Sequence, residues 1–370
     1  MLLLTLHTFS ATGGIEKMSR VAGMALKDIA EETGSDFEVY SMYDSSDVCT
    51  KKYIAENDFR GFGGNKFLFV IKAVMRGIRS KTVVLSHINL SLPAYIIKLI
   101  RPRTKVIVMA HGIEVWKQLT GVKKKLLEKA DQVVAVSNFT AKKLREQYTI
   151  KKITVINNCL DPFLPLPING QRSAIRKEYG FEENDLVAMT LSRLAATEQK
   201  KNYDQILYSI KDLRKDLGPV KYLFVGKYDP KEKERLESLI GSLGLSGEVK
   251  FAGYVEDKDL NKYYGMADCY IMPSTKEGFG ISFIEAMYYG LPVIGGNADG
   301  TTDALMNGKL GLMIDPTRRA ELTAALAKVL LNAESFKPDP ELVKQQFGFE
   351  TYREKWARLI KEMFKKKPGS

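Results

Sequence analysis

Strand-like and helix-like segments alternate along the whole of this 370-residue chain, and that rhythm restricts its fold more than any single residue does. In the first half, short apolar runs at 2–6, 37–42, 82–85, 105–110, 132–136 and 153–156 are separated by amphipathic stretches such as 16–31, 67–78 and 138–148. The second half repeats the pattern with runs at 186–191, 221–225, 249–251, 269–272, 292–294 and 311–314. Helical periodicity there falls at 203–213, 231–243, 258–266, 281–289 and 319–330. Such alternation predicts an α/β chain with parallel sheets covered by helices on both faces. The segment Asp161-Pro162-Phe163-Leu164-Pro165-Leu166-Pro167 interrupts it, because proline continues neither a helix nor a central strand. The expected organisation is therefore two Rossmann-like, doubly wound domains, residues 1–165 and 166–349, followed by a helix at 350–364.

Composition narrows the class. The chain is 45% apolar and 27% charged, as in a soluble globular protein, and its apolar runs fall far short of a spanning helix. The amino terminus lacks a basic start and a small-residue cleavage site, so it reads as a first buried strand of a cytoplasmic protein. Cys49, Cys159 and Cys269 are odd in number and far apart, which suits reduced thiols and neither a disulfide framework nor a metal site. The sequons at Asn89 and Asn138 then carry no meaning. Charge is uneven: residues 1–165 hold 25 Lys+Arg against 15 Asp+Glu, whereas residues 166–370 hold 31 against 29. Nucleic acid, anionic lipid and phosphorylated substrates all fit that excess.

Doubly wound sheets bind ligands beyond the carboxyl ends of their strands, so the strand-to-helix turns carry the candidate site. In Pro273-Ser274-Thr275-Lys276-Glu277-Gly278-Phe279-Gly280, followed by Ile281-Ser282-Phe283-Ile284-Glu285-Ala286-Met287, a strand gives way to a helix through a turn with one carboxylate and two glycines. Glycines admit a ligand to the backbone, and helix-start N–H groups favour phosphate or sugar oxygens. Ser192-Arg193-Leu194 and Lys200-Lys201-Asn202 supply cations of the kind that stabilise a leaving diphosphate. Gly13-Gly14-Ile15-Glu16 follows the first strand but is not Gly-x-Gly-x-x-Gly, so a dinucleotide cofactor is not expected. His111, one of three histidines, ends a strand-like run. His7 and His87 have weaker claims. Asp257-Lys258-Asp259 has the Asp-x-Asp form of a metal motif, but it opens a helical stretch and is expected to cap it.

The stretch 273–294, with its Glu-Gly-Phe-Gly turn, Glu-Ala-Met helix and Gly-Leu-Pro-Val-Ile strand, resembles the Glu-x7-Glu signature of the retaining GT-B glycosyltransferases of family 4, the group 1 type. The resemblance implies a GT-B fold, two Rossmann-like domains facing a central cleft, with the last helix returning to the first domain. It places Glu277, Gly278, Phe279 and Gly280 on the donor sugar and Glu285 on the nucleoside. Arg193 and Lys201 align with the phosphate-binding pair, with Lys200 as a possible substitute and Asn202 where glycine is usual. Gly14 falls on the early Gly-Gly loop near the donor phosphate, and His111 on the histidine that approaches the reacting carbon.

The implied activity is retaining, metal-independent transfer of a hexosyl group from a nucleotide sugar to an acceptor hydroxyl, as in assembly of a cell-surface glycan or polysaccharide. No cofactor is expected beyond the nucleotide sugar itself as co-substrate. The expected partners are that donor and an acceptor glycan or lipid-linked sugar. Basic clusters at Lys123-Lys124-Lys125, Lys142-Lys143, Lys151-Lys152 and Lys365-Lys366-Lys367 suggest peripheral contact with an anionic inner membrane face. Two alternatives compete. A sugar-nucleotide epimerase or hydrolase fits the same fold. A basic nucleic-acid-binding protein would leave the carboxylate–glycine turn unexplained and lacks a recognisable binding module, so no nucleic-acid partner is expected.

Overall fold

The computed structural model describes residues 1–167, 170 and 172–365. Lys366 and Lys367 of the basic tail lie outside these. The chain divides into two compact units, Met1–Pro162 together with the segment from Phe347 onward, and Phe163–Gln346. The first break falls within the proline-dense segment.

The first unit contains strands β1 (Leu2–Thr5), β2 (Glu38–Ser41), β3 (Phe59–Gly61), β4 (Thr82–Leu85), β5 (Lys105–Ala110), β6 (Gln132–Ala135) and β7 (Ile153–Val155). They pair in parallel in the order β3-β2-β1-β4-β5-β6-β7. Strands covered on both faces read as continuous apolar runs, and β1 and β4 are buried at every position. The helices are α1 (Gly14–Glu32), α2 (Lys66–Gly77), α3 (Ser91–Ile100), α4 (Ile113–Trp116), α5 (Gly121–Lys129) and α6 (Asn138–Gln147). Asn65 accepts the Leu68 N–H to start α2, and Ser137 accepts the Thr140 N–H to start α6.

The second unit runs α7 (Arg172–Glu178), β8 (Leu186–Leu191), α8 (Tyr203–Leu217), β9 (Val220–Val225), α9 (Pro230–Leu243), β10 (Val249–Gly253), α10 (Leu260–Met266), β11 (Cys269–Met272), α11 (Ile281–Tyr288), β12 (Val293–Gly296), α12 (Thr301–Ala304), β13 (Leu312–Ile314) and α13 (Arg319–Leu331). Its parallel sheet has the order β10-β9-β8-β11-β12-β13. Helix α14 (Pro340–Phe347) leads into α15 (Phe349–Phe364), which packs on α1 and buries Tyr352, Trp356 and Leu359 in the first unit.

Several elements depart from the sequence reading. Strand β3 is a three-residue edge strand with no apolar run, and only its pairing with Val39–Ser41 makes it a strand. Helix α3 carries Pro93, which reads as a breaker, yet a first-turn proline forfeits no intrahelical hydrogen bond. Helices α5, α7 and α14 are short and also escaped the pattern. Asp259 stands at the N-cap position of α10 without capping it, since its carboxylate meets Lys262 Nζ at 2.7 Å.

Candidate active site

Each sheet reverses its strand order once, between β1 and β4 in the first unit and between β8 and β11 in the second. Loops leaving neighbouring strands diverge at such a point and open a crevice at their carboxyl ends. Most of the sequence-derived candidates lie in these loops, with His111 after β5 and Glu285 inside α11.

In the second unit, β8 leads directly into Ser192 and Arg193. Gly226 lies across from them at φ +129°, and a Cβ there would stand 2.2 Å from the Ser192 carbonyl oxygen. Only glycine permits that approach. The next loop is tied to the one after β11: the Lys200 carbonyl accepts the Thr275 N–H at 2.9 Å, and Asn202 Nδ2 donates to the Pro273 carbonyl at 2.7 Å. Asn202 adopts the left-handed conformation at φ 59°, which explains how asparagine serves where glycine is usual.

This tie brings Lys201 Nζ to 3.8 Å from Glu277 Oε2 and 3.6 Å from Glu198 Oε2, while Arg193 Nη2 meets Glu198 Oε1 at 2.8 Å. Two cations and two carboxylates thus form one cluster at the switch point. Lys200 is exposed and contributes its backbone carbonyl to the tie, whereas the Lys201 ammonium lies in the cluster. Glu198 was not singled out in the sequence, where it is one acid among many in a polar loop. Its burial alone would raise its pKa, but Lys201 and Arg193 hold it below the usual carboxylate value.

Glu277 is fixed through its backbone. Its N–H donates to Asp299 Oδ2 at 2.7 Å, and its carbonyl accepts the Gly300 N–H at 2.9 Å. The second oxygen of Asp299 accepts the Thr301 N–H at 2.9 Å. Asp299 is fully buried, and chiefly for that reason its pKa rises to about 6 against the opposing Thr301 hydrogen bonds. Gly278 also donates to Glu277 Oε1 at 3.2 Å. Gly280, at φ 93°, sits at the N-cap of α11 with no side-chain cap, and Phe279 beside it is buried.

Glu285 has a different setting. It is 2% exposed within α11 and accepts the Tyr264 hydroxyl at 3.1 Å, with Tyr264 stacked on Tyr289. The structure brings Glu277 together with Arg193 and Lys201, whereas Glu285 belongs to this aromatic patch.

In the first unit the three histidines follow β1, β4 and β5, neighbours in the sheet. His111 is 8% exposed. Its Nε2 lies 2.9 Å from the Ser86 carbonyl, which accepts from it, and its backbone N–H donates to Glu114 Oε1 at 2.6 Å. Burial pushes its pKa down to about 4, so the ring is neutral at pH 7. His87 is also buried and pushed down to about 4, chiefly by burial, with His111 a smaller contributor. His7 stacks on Tyr43 at 4.9 Å. Gly13 and Gly14 are exposed at the start of α1, Gly13 in an extended conformation. Asp44, which the sequence reading missed, is buried and accepts the N–H groups of Thr8, Phe9 and Ser10, fixing the loop after β1.

Two family models match the chain: glycosyl transferases group 1 over residues 171–340, and glycosyltransferase family 4 over residues 47–162. Mannosylfructose-phosphate synthase of Agrobacterium fabrum is 32% identical over 208 residues, 54% of this chain and 44% of that enzyme. GDP-mannose-dependent α-(1-6)-phosphatidylinositol monomannoside mannosyltransferase of Mycobacterium tuberculosis is 26% identical over 243 residues, 62% of each chain. The match thus spans 44–62% of the length of these relatives. In structure the chain is similar to Anabaena HepE in complex with UDP and glucose, with TM-score 0.79 and 20% identity over 98% of this chain and 100% of that one. It is also similar to sucrose-phosphate synthase of Thermosynechococcus elongatus, with TM-score 0.77 and 18% identity over 98% of both.

Proposed function

The chain belongs to the group 1 glycosyltransferases and has their GT-B fold, and on that premise we propose that it transfers a sugar from a nucleotide-sugar donor to an acceptor hydroxyl with retention at the anomeric carbon. The observation that carries this reading is the cluster at the switch point of the second sheet in which Lys201 meets Glu277 and shares Glu198 with Arg193. A donor cleaves by losing a nucleoside diphosphate, whose developing charge needs fixed cations. Arg193 and Lys201 are held beside Glu198 and would turn to the diphosphate when it binds, supplying that charge without a metal. Glu277 would accept a hydrogen bond from a sugar hydroxyl, and the N–H groups of Gly278, Phe279 and Gly280 would face sugar or phosphate oxygens. Glu285 is assigned to the ribose hydroxyls, with Tyr264 holding its carboxylate in place. The family resemblance assigns His111, neutral and buried, to the sugar and Gly14 to the donor phosphate.

No enzymic nucleophile is needed in this scheme. The bond from the anomeric carbon to the departing phosphate oxygen breaks while the acceptor oxygen bonds to the same face. The acceptor proton passes to that phosphate oxygen. The protein contributes positioning and electrostatics. Relatives that act from GDP-mannose on a phosphatidylinositol mannoside suit an acceptor in a cell-surface glycan, reached from the inner membrane face.

The test is a thermal melt against a panel of UDP- and GDP-sugars. A true donor raises the melting temperature with concentration by mass action. Indifference to every nucleotide sugar, and to UDP and GDP alone, would overturn the reading.

A further inference from the structure

Between Asp58 and Glu114 the chain has no acidic residue and ten basic ones. This stretch contains α2 and α3, which pack side by side, with α5 next to α3. Both helices bury one face in the first unit's core, through Phe69 and Ala73 on α2 and Ala94 and Ile97 on α3. Their outer faces are apolar as well. On α2, Phe67, Ile71 and Met75 recur at every fourth position, and Phe67 is 78% exposed. On α3, Leu92, Leu99 and Ile100 line one side, Leu99 being 59% exposed. Residues spaced this way share a helix face. Surface leucines scattered singly require no explanation, but two adjacent helices that both expose an apolar stripe do.

The surrounding charge is mainly basic, the nearby acids Asp36, Glu38, Glu128 and Asp131 being paired with Arg76, Lys124 and Lys98. Arg76 and Lys98 are engaged by Glu38 and Asp131, but Lys66, Arg79, Arg101 and Arg103 are exposed around the same two helices. Lys123, Lys124 and Lys125 lie on the adjoining α5, and Lys129 places its ammonium 5.3 Å from the Tyr95 ring at the α3 seam.

We propose that the outer face of α2 and α3 docks the protein on an anionic lipid surface. The bilayer interface accepts both parts of this face at once, aliphatic and aromatic tips at the acyl boundary and Lys or Arg heads among anionic headgroups. No acidic residue on either helix opposes it. The surface is distinct from the Lys142-Lys143 and Lys151-Lys152 clusters, which lie on α6 and before β7. It rests on the transferase reading only in giving a membrane-borne acceptor a route to the enzyme.

The experiment is co-sedimentation of the full chain with vesicles of phosphatidylcholine alone, or of phosphatidylcholine and phosphatidylglycerol in equal parts, at low and high salt. The protein should pellet with the anionic vesicles and be released by salt, which screens surface charge. The double variant Phe67→Glu, Leu99→Glu should bind at least about tenfold more weakly. Leu331→Glu, an equally exposed leucine in the second unit, should bind as the unsubstituted protein does. Failure of the unsubstituted protein to pellet, or full binding by the double variant, overturns the proposal. So does a dimer by light scattering that the double variant abolishes, since the face would then join two copies. The same proteins are melted with nucleotide sugars. Vesicle binding without any donor shift leaves docking standing and removes the transferase reading, and the reverse outcome does the opposite.

Discussion

Asp299 Oδ2 accepts the backbone N–H of Glu277 at 2.7 Å, from a position buried beneath the loop that carries the proposed donor site. The carboxylate therefore fixes the Glu277 backbone while the Glu277 side chain meets Lys201. Asp299→Ala should lower kcat/KM with the fold retained, because the buried Thr301 N–H loses its acceptor, at a cost of roughly 1–3 kcal/mol, and the partly buried Glu277 N–H loses its own. Asp299→Asn keeps one acceptor and should fall between. A raised carboxyl pKa means that the native state holds this proton more tightly than the unfolded chain. The associated stability is full below about 3.8 and is lost as pH rises through about 6. Denaturant melts of wild type and Asp299→Asn should show the wild-type advantage shrinking from pH 4 to pH 7; a constant difference contradicts the account.

Glu277→Gln removes a charge-assisted hydrogen bond to the donor, worth roughly 1.5–3 kcal/mol, so kcat/KM should fall about ten- to a hundredfold. Glu285→Ala should also lower transfer sharply, and it leaves the Tyr264 hydroxyl only the longer contact to the Ser282 carbonyl at 3.4 Å. Near-wild-type turnover of both variants at limiting donor would remove these residues from the site.

Arg193→Ala and Lys201→Ala should impair transfer more than Lys200→Ala, because only the first two belong to the charged cluster. Activity should survive EDTA. Complete loss with EDTA, restored by manganese or magnesium, would transfer the role of the cations to acidic residues, Asp257 and Asp259 first among them.

His111 carries the opposite pH signature to Asp299. Its pKa is lowered from 6.5 to about 4, so its contribution is full above about 6.5 and lost as pH falls toward 4. The difference amounts to roughly 3 kcal/mol. Urea unfolding at pH 7.5 and pH 4.5 should show wild type losing stability on acidification that His111→Gln retains. Parallel losses would mean that the ring is more solvated than its burial implies.

The alternation of elements, the proline-dense segment and the glycine–carboxylate turn were legible because each is written in contiguous residues. What escaped is long-range. Asp299 and Asp44 look like ordinary loop acids until the N–H groups they accept are brought to them from 22 and about 35 positions away. Glu198 becomes a site neighbour through the Lys200–Thr275 and Asn202–Pro273 ties. A glycine such as Gly300 shows no sequence signal, yet a Cβ there would stand 2.0 Å from the Gly278 carbonyl oxygen. The apolar outer faces of α2 and α3 were hidden by a different cause: α3 was not recognised as a helix, so its exposed stripe had no face to lie on.

The central claim is sugar transfer with retention, and proton NMR of the first product formed from donor and acceptor tests it most directly. The account predicts an anomeric signal with the donor's own configuration, normally α, appearing together with nucleoside diphosphate and forming about ten- to a hundredfold more slowly with Glu277→Gln. A product with inverted configuration, or donor breakdown that yields only free sugar or an epimerised nucleotide sugar with acceptor present, would contradict it.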